Sequence, residues 1–341
     1  MQKKSTLLIF IGIILLAGFI FVIPNINFLE KYVMYYFNQF ALSTIKTTYD
    51  IRKITLPYGT EFKIFDNRKS FGKGCEFARN EDKQNYNTRS LDIYMPYQKG
   101  QALKNRKVIF FVHGGGWTEG YKDWYSYVAK SFTGQKGWIT VVIDYRLASK
   151  EVLTKDKVKA AYFPDNINDV ADAFSFVNKN IIKYGGNPNQ IFVMGHSAGA
   201  NLATLFVVTA GQERFSKSIK GLISIAGAYS MPDLAKTSAK EDCLNETFLN
   251  PQPDNPQLKQ ASPISYIRKG LNLPPILLLY GEKEIYNLDL QAKDFSKALT
   301  DNKIKHSIYF LKDYTHDREV SDLYDINAEV TKQIVHFIEQ H

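Results

Sequence analysis

Cysteine is nearly absent from this chain. Its only two, Cys75 and Cys243, stand far apart. That excludes the close-spaced ligand motifs of structural zinc sites and the dense frameworks of small disulfide scaffolds. The two can pair only if the chain matures in an oxidising compartment. Histidine is scarce too, at 6. No internal repeat, no low-complexity linker and no dense basic run follows the first few residues. The formal charge of +9 therefore comes from scattered lysines. Nucleic-acid binders cluster their basic residues and favour forked arginine contacts, so no nucleic-acid partner is expected. A lysine-rich solvated surface accounts for the charge, with weak attraction to anionic membrane surfaces as the functional alternative.

What is present suits a packed globular protein. Hydrophobic residues make up 45% and charged residues 23% of 341 positions, enough to bury a large core without disulfides or metals. At the N-terminus Lys3 and Lys4 precede an uncharged apolar run, residues 7–23. As a helix this run is ~25 Å long, and its flanks can extend it toward the ~30 Å of a bilayer core. It is apolar on every face, longer than a signal-peptide core, and no small-x-small cleavage site follows. A retained membrane anchor over 1–27 is expected, with a cleaved signal as the alternative. Only Glu30 and Lys31 follow closely, so the positive-inside rule places the N-terminus in the cytoplasm and the rest outside it, in the periplasm if the source is bacterial. Residues 28–60 open with an aromatic, amphipathic stretch, read as a connecting segment.

Further along, short apolar runs at 91–95, 108–112, 139–143, 190–194, 221–225, 276–280 and 305–311 read as strands. Helical spacing appears at 166–180, 198–209, 290–299 and 327–340. Apolar strands alternating with helices predict an α/β fold, a mainly parallel sheet covered on both faces, over 61–341. Such sheets carry their sites at the carboxyl ends of the strands. The stretch 226–275, rich in Asn, Pro and Asp, is too long for a plain connection and reads as an insertion beside the site.

The strand 190–194 runs into Gly195-His196-Ser197-Ala198-Gly199, and a helix follows. A serine at the tip of a sharp strand-to-helix turn projects its hydroxyl above the sheet, and the small neighbours allow strand and helix to approach. The helix N-terminus aims its free N–H groups at that hydroxyl. Upstream, the strand 108–112 ends in His113-Gly114-Gly115-Gly116-Trp117. Consecutive glycines let the backbone aim several N–H groups at one developing oxyanion, worth ~3–4 kcal/mol per donor. Gly115, Gly116 and Ala198 are the expected donors. Trp117, Tyr121, Trp124 and Tyr125 follow; Trp117 and Tyr121 are candidates for the wall of an apolar substrate pocket, with ordinary core packing the competing role.

Elimination selects the base. His113 belongs to the glycine loop, His196 adjoins the serine with its side chain expected to point away, His306 opens a strand, His336 lies in a helix, and His341 is terminal. His316, just after the strand 305–311, remains as the group that takes the Ser197 proton. An acid should lie between serine and histidine. Glu282 and Glu284 both follow the strand 276–280, and Asp289 suits the cap of the next helix; Glu284 is favoured.

With His113–Trp117, Asp144-Tyr145-Arg146, Phe163-Pro164 with Asp169, and Gly195–Gly199 in this order, residues from about 87 onward resemble the carboxylesterase and hormone-sensitive-lipase-like α/β-hydrolases. The Trp after the glycines most resembles their feruloyl-esterase-like and kynurenine-formamidase-like branch. The resemblance implies an α/β-hydrolase fold, a Ser197–Glu284–His316 triad, an oxyanion hole from Gly115, Gly116 and Ala198, and no metal or organic cofactor. Relatives usually carry Asp where this chain has Glu284. Asp144-Tyr145-Arg146 reads as structural. The expected activity is hydrolysis of small to medium carboxylic esters through an acyl-enzyme. Cleavage of an aryl-formyl amide is the alternative within that chemistry, and a non-catalytic binding module is the alternative outside it. Oligomeric state is left open.

Overall fold

The computed structural model describes residues 47–59, 89–147, 161–237 and 256–341, with the backbone alone at 153–154 and 157–158. The expected anchor at 1–27, most of the connecting segment, Cys75, Cys243 and the middle of the 226–275 insertion lie outside the described residues. Among the described residues no helix is long and apolar enough to cross a membrane.

The described residues form eleven strands: β1 (Asp50–Pro57), β2 (Ser90–Gln98), β3 (Gln101–Ala102), β4 (Arg106–Val112), β5 (Ile139–Ile143), β6 (Leu153–Thr154), β7 (Lys157–Val158), β8 (Gly186–His196), β9 (Ile219–Ile225), β10 (Ile276–Lys283) and β11 (His306–Thr315). All but β6 and β7, which pair with each other, join one nine-stranded sheet of order β1-β2-β5-β4-β8-β9-β10-β11, with β3 beside β2. The six strands from β5 to β11 are parallel. β1 and β2 continue the sheet antiparallel. The central strands are buried along their length, as at Val108–Val112 and Ile139–Ile143, because helices cover both faces.

Those helices are α1 (Asp165–Asn180), α2 (Ala198–Phe206), α3 (Leu288–Asp301) and α4 (Glu329–Gln340). Phe174 of α1 stands edge-on to Phe110 of β4 at 5.3 Å and packs on Phe206 of α2 at 5.1 Å. Alternation along β8 sends Phe192 to the opposite face, where it meets Phe337 of α4 at 6.4 Å. Gly221 makes that approach feasible: a Cβ there would lie 2.7 Å from the Phe337 ring. α4 buries Val330, Ile334, Phe337 and Ile338, one stripe at helical spacing.

Two expectations need correction. Residues 47–59, grouped from sequence with the connecting segment, belong to the compact unit that starts at Thr47. β1 pairs along its whole length with β2. Its charged, half-exposed edge character hid it. The helix expected over 198–209 is regular only to Phe206; Val207–Gly211 widens into a π-turn with Thr209 at φ −116°, ψ −108°.

The Asp144-Tyr145-Arg146 segment ties loops together, as its reading implied. The Asp144 carboxylate accepts from the Lys122 N–H at 2.6 Å and the Ser90 hydroxyl at 3.2 Å. The Tyr145 hydroxyl donates to the His113 carbonyl at 3.0 Å. Arg146 forks onto Asp169 with two bonds of 2.8 Å.

Candidate active site

Parallel register decides which residues meet. Gly195 lies opposite Val112, and His196 opposite Ile225, so the glycine loop and Ser197 leave adjacent strands at the same level. Lys283 lies opposite Thr315; the next residues along each chain are Glu284 and His316. Four strand ends thus deliver the candidate groups to the carboxyl edge of one sheet.

Ser197 sits at φ 54°, ψ −123°, a conformation that non-glycine residues rarely occupy. Its N–H donates to the Ile225 carbonyl at 2.9 Å, and its carbonyl accepts from the Asn201 N–H at 3.0 Å. The flanking glycines are sterically required. A Cβ on Gly199 would lie 2.2 Å from the Val112 and His113 carbonyl oxygens, and one on Gly195 would lie 2.4 Å from the Gly199 carbonyl oxygen.

The Ser197 hydroxyl donates to His316 Nε2 at 2.9 Å. His316 Nδ1–H donates to Glu284 Oε2 at 2.8 Å, and the Gly281 N–H donates to Glu284 Oε1 at 3.1 Å. Burial pushes the Glu284 carboxyl up, but hydrogen bonds with His316 and Glu319 and the His316 charge outweigh it and bring it down to about 2. The other candidate acids are engaged elsewhere: Glu282 accepts from the Asp313 N–H at 2.9 Å, and Asp289 pairs with Lys293 at 3.0 Å.

The glycine loop folds tightly, the N–H groups of Thr118 and Glu119 both donating to the Gly115 carbonyl. Gly115 has φ 117° and Gly116 φ 56°. Gly114 runs closest to the serine: a Cβ there would lie 3.3 Å from Ser197 Cβ and 3.0 Å from His196 Nδ1. Ala198 opens α2 directly after the serine. Trp117 is buried in the main core cluster, whereas Tyr121 and Trp124 are half-buried and meet at a tilt, ring centres 4.6 Å apart. Tyr125 stacks on the His113 ring at 5.6 Å. His113 itself is wholly buried, and that burial lowers it to about 4.

Three residues gain roles that sequence alone did not assign. Gly114 allows the close approach just described. His196 does not turn idly away from the serine; its Nε2–H donates to the His316 carbonyl at 3.0 Å. Burial and then the neighbouring His316 charge lower His196 to about 3, so it stays neutral. Glu319, fully buried, stands behind Glu284; its only sequence signal is its place three residues after His316. His196, His316 and Glu319 each offer a ligand atom, all within 4.8 Å of one another. Both His316 nitrogens and His196 Nε2 already serve the hydrogen bonds above, so the group fits a hydrogen-bonded site better than a cation site.

A strained serine, a histidine and a carboxylate in one hydrogen-bonded line, on the carboxyl edge of a mainly parallel sheet, define an α/β-hydrolase. Solved structures agree on the fold: the chain matches a Pyrobaculum calidifontis esterase with a TM-score of 0.65 at 20% identity, covering 91% of this chain and 92% of that one. It matches the carboxylesterase EstE1, from a metagenomic library, with a TM-score of 0.64 at 16% identity, covering 91% and 94%. The chain belongs to the BD-FAE family, whose model matches residues 91–299. Among curated relatives it is 30% identical to the probable isoprenylcysteine alpha-carbonyl methylesterase ICMEL2 of Arabidopsis thaliana, over 66% of this chain and 54% of that protein. It is 34% identical to the esterase LipQ of Mycobacterium tuberculosis, over 57% and 46%. The chain thus spans about half the length of the curated relatives it matches.

Proposed function

We propose that this protein is a serine carboxylic-ester hydrolase acting on small to medium esters. The hydrogen-bonded line Ser197–His316–Glu284 carries the reading, and relatives named as esterases support it. In the proposed reaction Ser197 Oγ attacks the ester carbonyl while His316 Nε2 takes its proton. Glu284 holds the imidazole with its remaining proton on Nδ1 and stabilises the charged ring. The N–H groups of Gly115, Gly116 and Ala198 receive the oxyanion. His316 then returns the proton to the departing alcohol, leaving Ser197 acylated. Water, activated by the same imidazole, releases the acid. Tyr121, half-buried beside Trp124, is proposed to border the substrate; the buried Trp117 would support that wall from behind.

Labelling by a fluorophosphonate probe and release of p-nitrophenol from p-nitrophenyl acetate test the reading. Wild type should show both and Ser197→Ala neither; an unlabelled, inactive wild type overturns it and leaves the binding-module role. A panel of esters of rising chain length, with an aryl formamide alongside, places the substrate and tests the amide alternative.

We further propose that residues 1–27 anchor the protein in a membrane with the catalytic unit outside the cytoplasm. The apolar run 7–23 behind Lys3 and Lys4 supports this. Fractionation and protease accessibility in intact cells test it. Recovery in the soluble fraction of a chain that has lost about its first 25 residues would favour a cleaved signal instead.

A further inference from the structure

Glu319 is a buried charge-bearing side chain beside the site that the proposed reaction leaves unused. It begins the second turn beyond His316, within the short helix Arg318–Ser321, and is fully buried. The Gly281 N–H favours its anion, but less than burial and Glu284 disfavour it. Its Oε1 presses on the β10 backbone: a Cβ on Gly281 would stand 2.6 Å from it. Glu284 Oε1 meets the same residue, accepting from the Gly281 N–H at 3.1 Å, so the two carboxyl groups face one another there. Two carboxylates cannot hydrogen-bond to each other, because neither has a proton to give. One of the pair must be a neutral acid. Glu284 receives donors from His316 and Gly281, so it is the one stabilised as the anion. The proton belongs on Glu319.

We propose that Glu319 is a positioning residue: a neutral carboxylic acid that donates its O–H to Glu284, fixes that carboxylate's rotamer, and keeps a single negative charge behind His316. The inference deepens the esterase reading and rests on it for the role, though not for the proton. Glutamate at position 284 is one methylene longer than the aspartate of its relatives, and Glu319 supplies a contact that holds the longer arm in line. Burial first, then Glu284 through the hydrogen bond and its charge, raise Glu319 to about 11. The other titratable groups facing it are Asp317, His196, His316 and Tyr229. Asp317 adds a negative potential and His196 stays neutral, so neither favours ionising Glu319.

The test uses the full chain with Glu319→Gln, which keeps a donor and removes the titration, and Glu319→Leu, which removes both. In urea unfolding between pH 6 and pH 8, Glu319 is ionised when unfolded and protonated when folded. The unfolding constant of wild type relative to Glu319→Gln should therefore rise about tenfold per pH unit. A ratio flat with pH means that Glu319 is ionised in the fold and overturns the proposal, whether or not the protein hydrolyses esters. On p-nitrophenyl acetate, Glu319→Gln should keep kcat within about threefold of wild type, while Glu319→Leu loses about tenfold or more with KM unchanged, the scale of a lost hydrogen bond to a charged group. Equal losses in the two variants would also overturn it, because a space-filling role does not distinguish a donor from an apolar side chain.

Discussion

The two halves of the site are built by different physics. Ser197 is held by backbone: a strained φ and ψ, two main-chain hydrogen bonds, and glycines that let α2 lie against the ends of β4 and β8. His316 and Glu284 are held by ionisable side chains, with His196 beneath the histidine and Glu319 behind the acid. The first half should respond to added atoms and ignore pH. The second should respond to charge and to the reach of its side chains.

The largest effects test whether the halves act as one unit. Ser197→Ala should lower kcat/KM by about 10⁴-fold or more, and Glu284→Gln should lower kcat by about 10⁴-fold by removing the charge that fixes the His316 tautomer, with near-native thermal stability in the first case. Glu284→Asp withdraws the carboxylate by one methylene and should cost about 10²-fold, the scale of a misplacement near 1 Å. A fully active Glu284→Asp would show that the loop, not Glu319, sets the reach of the acid. All three are read from steady-state rates on p-nitrophenyl acetate.

Next comes pH. His113 and His196 are neutral in the fold, lowered by burial to about 4 and about 3. The unfolded chain protonates both near pH 6.5. Their contribution is complete above that pH and is lost as pH falls, at about 1.4 kcal/mol per unit for each histidine, until each protonates in the fold. Glu284, lowered in the fold, adds a further loss as pH drops from about 4.5 to about 2. Glu319 and Asp144, raised in the fold to about 11 and about 7, gain stability as pH falls and oppose this loss, so the histidine part is read as the difference between variants in urea unfolding. His196→Leu should flatten the fall by about one proton, and through the lost bond to the His316 carbonyl it should lower kcat by about tenfold.

This division also explains what could be read from the sequence. Val108–Val112, Ile139–Ile143 and the apolar centre of β8 are continuous runs buried on both faces, and such runs are visible without coordinates. So is the elbow, because its requirement for small residues is local: Gly195, Ala198 and Gly199 are neighbours in the chain. β1 escaped notice because an edge strand needs no apolar face; Asp50, Arg52 and Lys53 lie half in water. The reversed direction of β2 was equally hidden, since an apolar run does not encode which way its strand points. His196 and Glu319 were missed for a third reason. Their roles exist only across elements, where β8 meets the loop after β11 and where the helix after His316 meets β10.

The smallest effect bears most directly on the backbone half. At an ordinary position Ser→Gly is less favourable than Ser→Ala, because glycine loses more freedom on folding. At Ser197 the order should invert. Holding a Cβ at φ 54°, ψ −123° costs about 1–3 kcal/mol, more than the added entropy of glycine. Ser197→Gly should therefore be more stable than wild type by about 1 kcal/mol, and Ser197→Ala, which keeps the Cβ, should not. The two variants lack the nucleophile and differ at the elbow by one methyl group, so their difference in urea unfolding at pH 7 measures the strain less the added entropy of glycine. If alanine proves more stable than glycine, as at an ordinary position, the elbow is unstrained, and its serine is presented by the same kind of side-chain contacts that hold His316.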